Sequence, residues 1–327
     1  MLQYIGRRVL YMIPTLFIIS VIAFAIIELP PGDYLTAYMA NLAQTGTQAS
    51  EDAIAALKRQ YGLDKPVYLR YVHWIWRLMQ GDMGMSFEWD RPVSELIWER
   101  LILTFVVSLF TTLFIWAVAF PVGIYSAVRQ YSIGDYIFTG LSFIGLGIPN
   151  FLLALVLLWV AFSRWGVALT GLFSPQYVDT PWSLAKFVDM MKRMWIPVII
   201  LGTSSTAGLI RTMRANLLDE LRKPYVVTAR AKGLRETKLL FKYPVRIAIN
   251  PFISTVGWTL PGLVSGATIV SVVLSLPLNG PLLLNALLNQ DMYLAGSFIM
   301  LLSSLTVVGT LISDILLAWV DPRIRYG

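Results

Sequence analysis

Few side chains in this sequence have types and spacings that could carry out covalent chemistry. The only histidine is His73, in an aromatic stretch, and the chain has no cysteine, which excludes thiolate metal sites, cysteine nucleophiles and disulfides. Neither a G-x-x-x-x-G-K-[ST] loop nor an H-E-x-x-H motif occurs. Gly145 and Gly147 lie inside an apolar run, where they indicate a helix kink or a close helix approach rather than a dinucleotide site. We therefore expect neither a catalytic centre nor a cofactor in this chain.

The densest cluster of charged side chains is basic. Residues 211–246 hold ten Lys/Arg and three Asp/Glu, and their net charge of +7 equals that of the whole chain. Pro224 suits the first turn of a helix, where its missing N–H is not needed, and Gly233 suits the end of that helix. A second helix is expected over residues 235–242. The segment is thus predicted to be a basic helical hairpin, which is typical of a docking surface.

Six uncharged segments predict helices that cross a membrane. Hydrophobic residues make up 57% of the 327-residue chain, charged residues 14%, and the mean hydropathy is +0.66. A bilayer core requires about 20 apolar residues as a helix. The segments are residues 9–27, 101–128, 136–163, 194–210, 247–290 and 292–313. The run 194–210 is short and is expected to continue as helix into the basic segment, while Pro277, Gly280 and Pro281 divide the run 247–290 into a helix and an outer loop.

The distribution of basic residues predicts the orientation of these segments. Arg7 and Arg8 place the N-terminus in the cytoplasm by the positive-inside rule, and six crossings return Arg323 and Arg325 to the same side. The basic segment then lies in the cytoplasm between the fourth and fifth helices. The predicted fold is an all-α multi-pass membrane protein with six transmembrane helices and a large outer segment after the first.

The outer segment, residues 30–100, is too long to be a simple connection. Helices are expected at residues 51–61 and 67–79, and the aromatic side chains of the second suit a membrane interface. We favour a small cap on the helix bundle over a direct substrate-binding role for this segment. The chain is accordingly divided into residues 1–100, with the first helix and the outer segment, and residues 101–327, with a five-helix core.

Four stretches resemble the permease subunits of ABC transporters of the oligopeptide/dipeptide importer type. The cytoplasmic loop of that family is matched by Tyr225-x-x-Thr228-Ala229-Arg230-Ala231-Lys232-Gly233-Leu234, followed by Arg246 and Asn250-Pro251. The other matches are Tyr61-Gly62-Leu63-Asp64-Lys65-Pro66 with Gly81-Asp82-Met83-Gly84-Met85-Ser86, then Pro31-Gly32-Asp33, and finally Asp321-Pro322-Arg323-Ile324-Arg325. The likeness covers nearly the whole chain, and the motifs together are specific.

The resemblance implies a non-catalytic subunit in the cytoplasmic membrane of a bacterium or archaeon. Its implied partners are a second, homologous permease subunit, two ATPase subunits that bind ATP and Mg²⁺, and an external substrate-binding protein; nucleic acid is not among them. The coupling role falls to Thr228, Ala229, Arg230, Ala231, Lys232, Gly233 and Leu234. Two departures near the outer gate, Ser271 for an acidic residue and Pro277-Leu278-Asn279-Gly280 for P-G-L-G, leave the substrate open between peptides, oligosaccharides such as α-galactosides, and nickel.

A weakly polar pathway is expected from hydroxyl and amide side chains inside the apolar segments. These candidates are Asn150, Thr203, Ser204, Ser205 and Thr206. Two functions of other classes compete with the importer subunit. A stand-alone secondary carrier is disfavoured because membrane carboxylates are scarce. A scaffold whose basic loop binds anionic lipid would explain the charge but not the Ala-x-Ala-x-Gly spacing.

Overall fold

A computed structural model describes residues 2–28, 65–167, 169–249, 252 and 268–320, most of which are helical. The helices are α1 (Leu2–Glu28), α2 (Val67–Met79), α3 (Val93–Val128), α4 (Ile133–Gly147), α5 (Asn150–Trp165), α6 (Leu184–Leu221), α7 (Pro224–Ala231), α8 (Glu236–Lys242), α9 (Pro244–Ala248), α10 (Thr268–Val273), α11 (Asn279–Leu288) and α12 (Met292–Val320). Within these ranges the β-structure consists of a single isolated bridge between Met85 and Pro92. The all-α prediction is confirmed for the described chain.

Several helices are long and apolar enough to cross a membrane. Four qualify alone, over Gly6–Ile26, Val93–Val128, Leu184–Leu221 and Met292–Ile312, and the bent pair α4–α5 makes five if it is counted as one span. A multi-pass membrane protein is therefore confirmed. The remaining predicted helix belongs to the run 247–290, and the greater part of it lies outside the described residues, as does the helix predicted at 51–61. The count of six stays a prediction.

The predicted span at residues 136–163 is not one straight helix. It consists of α4 and α5, whose axes differ by 99°. Pro149 explains the break, because it disfavours helical geometry at the preceding residue, and Ile148 is extended with φ −93° and ψ 118°. Nearby, a β-carbon on Gly145 would lie 3.2 Å from Cβ of Ala207 on α6. The two glycines indicate either a kink or a close helix approach; the close approach is present at Gly145, and the kink of this run lies at Pro149.

Residues 1–103 and 278–327 form one compact unit. Its core is aromatic and aliphatic, with Phe24, Trp74 and Phe298 all buried, and α1 runs along α12. Arg70 on α2 forms a salt bridge of 2.5 Å with Glu28 at the end of α1. The aromatic helix predicted over residues 67–79 is present as α2 and packs against the core of this unit.

A buried carboxylate organises the same unit. Asp291 precedes α12 and is fully buried. It accepts hydrogen bonds from Ser86 Oγ at 2.5 Å, the Phe87 N–H at 2.9 Å and the Leu294 N–H at 3.1 Å. Burial raises the pKa of Asp291, against the opposing effect of these donors. Asp291 thereby ties the loop before α3 to the first turn of α12.

The second compact unit comprises residues 104–277 and is organised around α6. Helices α4, α5 and α9 pack against α6. At 38 residues, α6 is about 57 Å long at the usual rise per residue, well beyond a bilayer core of about 30 Å. The helix therefore continues past the apolar run 194–210 into the basic segment, as predicted. The division of the chain at residue 100 stays a prediction.

Candidate functional site

The basic segment is folded as a helical hairpin at the end of α6. That helix stops at Leu221, and Pro224 begins α7 at its first position, where the missing N–H costs no intrahelical hydrogen bond. After α7, Gly233 has φ +73°, the left-handed conformation that glycine adopts most easily. The chain then turns into α8 at Glu236. The two helices and the glycine turn predicted from the sequence are all present.

The two helices of the hairpin share a small apolar interior. Val226 and Ala229 on α7 and Leu239 on α8 are buried against one another. Tyr225, Leu234 and Tyr243 pack around this group. Because Ala229 faces inward, its small side chain sets the spacing between α7 and α8 instead of meeting a partner. Ala231 is the alanine of the motif that is exposed.

One face of α7 is open to solvent. It carries Val227, Thr228, Ala231 and Lys232, which recur at helical spacing, and Val227 is 56% exposed. Arg230 is also exposed, and its Nε donates to Oε1 of Glu236 at 2.5 Å across the turn. The structure therefore divides the predicted coupling residues. Thr228, Arg230, Ala231, Lys232 and Gly233 are exposed, Leu234 is half-buried, and Ala229 is buried.

The hairpin is tied to α6 by contacts that the sequence analysis did not identify. Tyr225 Oη donates to Oε2 of Glu220 at 2.5 Å, across the break between α6 and α7. Burial and this carboxylate raise the pKa of Tyr225 to about 12, so the hydroxyl keeps its proton at neutral pH. Glu220 and Tyr225 are five residues apart and lie on either side of a helix break. Helical periodicity therefore could not predict that they pair.

A second apolar cluster supports the base of the hairpin. Met213 and Leu217 on α6 pack with Val245 and Ala248 on α9, together with Ala127 at the end of α3. Helix α9 follows α8 directly and lies against α6. The hairpin is therefore continuous, through α9, with the packed surface of α6.

A salt bridge joins α4 to α6. Arg214 donates through Nε to Oδ1 and through Nη2 to Oδ2 of Asp135, both at 2.9 Å. The Asp135 carboxylate is 3% exposed and also accepts from the Tyr131 N–H at 2.9 Å. The two partners are separated by 79 residues, a distance at which the sequence gives no pairing signal.

The predicted pathway residues are only partly brought together. Asn150 and Ser204 line one cavity of about 530 Å³, along with Thr268. The Asn150 amide lies 3.5 Å from the Leu201 carbonyl, and its Oδ1 is buried without a hydrogen-bond partner in the described structure. Thr203, Ser205 and Thr206 do not line this cavity. Consecutive residues on a helix point about 100° apart, so four in a row cannot share one face.

The described residues contain no cluster of three or more His, Cys, Asp or Glu side chains that could hold a metal ion.

Several helices are long and apolar enough to span a membrane, and they define the class of protein, a polytopic membrane protein. Its basic segment forms a packed helical hairpin. The family model for the binding-protein-dependent transport system inner membrane component matches residues 119–326, and a model for the N-terminal part of such membrane components matches residues 1–109. The chain belongs to this family.

Curated relatives match the chain over its whole length. It is 37% identical to the oligopeptide transport system permease protein AppB of Bacillus subtilis over 327 residues, covering 100% of both chains. It is 31% identical to the dipeptide transport system permease protein DppB of Escherichia coli over 345 residues, covering 100% of this chain and 99% of the relative. The glutathione transport system permease protein GsiC of Salmonella choleraesuis is 32% identical over 328 residues, with 100% of both covered. The predicted resemblance is confirmed, and the chain is a permease subunit of an ABC importer.

Proposed function

We propose that this chain forms half of the translocation pathway for oligopeptides or dipeptides and that its hairpin α7–α8 docks a separate ATPase. The observation that carries the coupling role is the exposed face of α7, with Val227, Thr228, Ala231 and Lys232, on a helix whose other side is held by buried Val226 and Ala229. Small and apolar side chains let a groove approach the helix closely, while the surrounding cations set its register.

The same contacts suggest how ATPase motion reaches the membrane helices. The groove of the ATPase would move α7, and the interior around Leu239 would carry α8 with it. Helix α9 and the Met213–Val245 cluster would then tilt α6. Coupling of this kind requires the ATPase to contact the hairpin differently in its two states. A stiff hairpin would transmit the resulting displacement to α6.

The proposed assembly contains a second, homologous permease subunit, two ATPase subunits and an external substrate-binding protein. ATP and Mg²⁺ are bound by the ATPases, and this chain has no catalytic step of its own. Both termini and the hairpin lie in the cytoplasm in this proposal, because the basic residues of short loops face that side. The pathway residues proposed for this subunit are Asn150 and Ser204, which line one cavity together.

Peptides are the favoured substrates. The relatives described above are named for oligopeptide, dipeptide and glutathione transport, which favours a peptide over an α-galactoside or nickel. Membership in a family of binding-protein-dependent systems also disfavours a stand-alone secondary carrier. Uptake of labelled dipeptides, an α-galactoside and nickel by the reconstituted complex would test this assignment. Failure of every peptide, with uptake of one of the others, would refute it.

The docking proposal is tested by filling the exposed face of α7. Ala231→Trp adds bulk on this face, whereas Thr237→Trp adds the same bulk at an exposed position of α8. We expect the first variant to lose the ATPase during purification of the complex and the second to retain it. Retention by both variants, or loss by both, would contradict docking through the α7 face.

A further inference from the structure

A groove lies between α4 and α6, in the same compact unit as the hairpin. It encloses about 700 Å³, and its lining includes Phe143 and Leu146 on α4 and Gly208, Arg211 and Arg214 on α6. One end is cationic and the rest is largely apolar. Phe143 is 58% exposed and Leu146 is 38% exposed, so the apolar wall is open along its side.

Arg211 is held at the charged end without a carboxylate partner. Its guanidinium carbon lies 5.0 Å from the ring centroid of Phe143, a cation–π contact that does not use the N–H donors as a salt bridge would. None of the described acidic side chains forms a salt bridge with it. Arg214, by contrast, uses two of its nitrogens on Asp135 and keeps the third. The groove therefore presents two guanidinium groups, and one of them lacks a counter-charge.

In the proposed orientation, Arg211 would lie at the cytoplasmic end of the apolar part of α6. It is the first charged residue after the apolar run 194–210, and the apolar wall of the groove continues from it toward the bilayer interior. Gly208 leaves the floor of the groove open, because a β-carbon there would meet only Cδ2 of Leu146 at 3.8 Å. A molecule with an anionic head and an apolar chain matches this arrangement of charge and space.

We infer that this groove binds an anionic phospholipid of the cytoplasmic leaflet, with its phosphate on Arg211 and an acyl chain along Phe143, Leu146 and Gly208. Basic pockets between transmembrane helices on the cytoplasmic side bind such headgroups. The inference rests on the proposed orientation of the chain. It does not depend on the substrate or on ATPase docking.

The test compares phosphatidylglycerol and phosphatidylcholine on the purified, full-length transport complex by native mass spectrometry. We expect the complex to retain phosphatidylglycerol preferentially. Arg211→Gln should weaken its binding about fivefold and remove the preference. Arg129→Gln is the matched control, because Arg129 also stacks on an aromatic ring, that of Tyr125 at 6.0 Å, but lies outside the groove; it should change binding less than twofold.

A second variant tests the apolar part and does not alter the charge. Gly208→Leu fills the floor of the groove and should weaken the binding of both lipids. Equal retention of the two lipids by the unmodified complex, or equal losses in the two arginine variants, would overturn the inference. Binding of glycerol phosphate to the delipidated complex as tightly as phosphatidylglycerol would show a site for a free phosphate group and overturn the inference, as would the absence of any bound lipid. Impermeant labelling of the cytoplasmic loop tests the orientation separately.

Discussion

Gly233→Ala should weaken ATPase docking and leave the membrane helices folded. Gly233 has φ +73°, and a β-carbon there would meet nothing within 4 Å. The penalty therefore comes from the backbone alone, at about 1–2 kcal/mol for an L-residue in left-handed geometry. An energy of that size shifts a conformational equilibrium about 5–30-fold. If the strained turn opens the hairpin, the affinity for the ATPase falls in proportion to the remaining closed fraction, and so by at most the same factor, since only the closed hairpin binds.

The side chain introduced should set the size of this effect. Asparagine tolerates left-handed geometry and should be the mildest change, while valine, with its branched β-carbon, should be the most severe. The assay titrates the ATPase against the purified permease and measures the dissociation constant, followed by substrate-stimulated hydrolysis in reconstituted complexes.

Gly81→Ala is the control for this series. Gly81 has φ +82° and equally open surroundings, so it carries the same backbone penalty, but it follows α2 in the other compact unit. We expect no change in ATPase affinity from this variant. Equal losses for the two alanine variants would refute the reasoning, as would an asparagine variant at position 233 that is as defective as the valine variant.

Three further predictions concern stability, pH and orientation. Arg214→Leu should lower the free energy of unfolding by about 3 kcal/mol, because it leaves the Asp135 carboxylate buried and unpaired, and Arg214→Leu combined with Asp135→Leu should recover most of that loss in thermal unfolding. Burial raises the pKa of Asp291, so the folded state binds this proton more tightly than the unfolded state. Relative to Asp291→Asn, the unmodified protein should therefore gain thermal stability as the pH falls from 7 toward about 4. In intact cells an impermeant thiol reagent should label Gln176→Cys and not Thr237→Cys, against a background without native cysteine.

Each of these predictions has an outcome that contradicts it. A double variant as unstable as Arg214→Leu would show that the arginine stabilises the protein by something other than neutralising Asp135. A stability difference from Asp291→Asn that does not vary with pH would mean that burial does not govern this carboxyl group. Labelling at position 237 in sealed cells would reverse the topology and remove the coupling proposal with it.

The sequence by itself determined the features that depend on neighbouring residues. Pro224 and Gly233 marked the two ends of α7 because proline and glycine restrict or permit backbone angles whatever surrounds them. Apolar runs long enough to span a bilayer also predicted membrane helices locally, because a helix in lipid satisfies its backbone hydrogen bonds within its own segment. The break at Pro149 was also local, although the glycines nearby, and not the proline, suggested the kink.

Contacts between distant segments were determined only by the tertiary structure. Ala229 and Ala231 are the same residue type two positions apart, yet the first is buried and the second exposed, because α8 folds back over one side of α7. Arg214 pairs with a carboxylate 79 residues away, whereas Arg211, one turn earlier, stacks on Phe143 and has no acidic partner in the described chain. Counting charges along the sequence cannot tell these two arginines apart. The packing of α4 on α6 places Asp135 beside Arg214 and Phe143 beside Arg211, and so decides which cation is neutralised and which can bind a ligand.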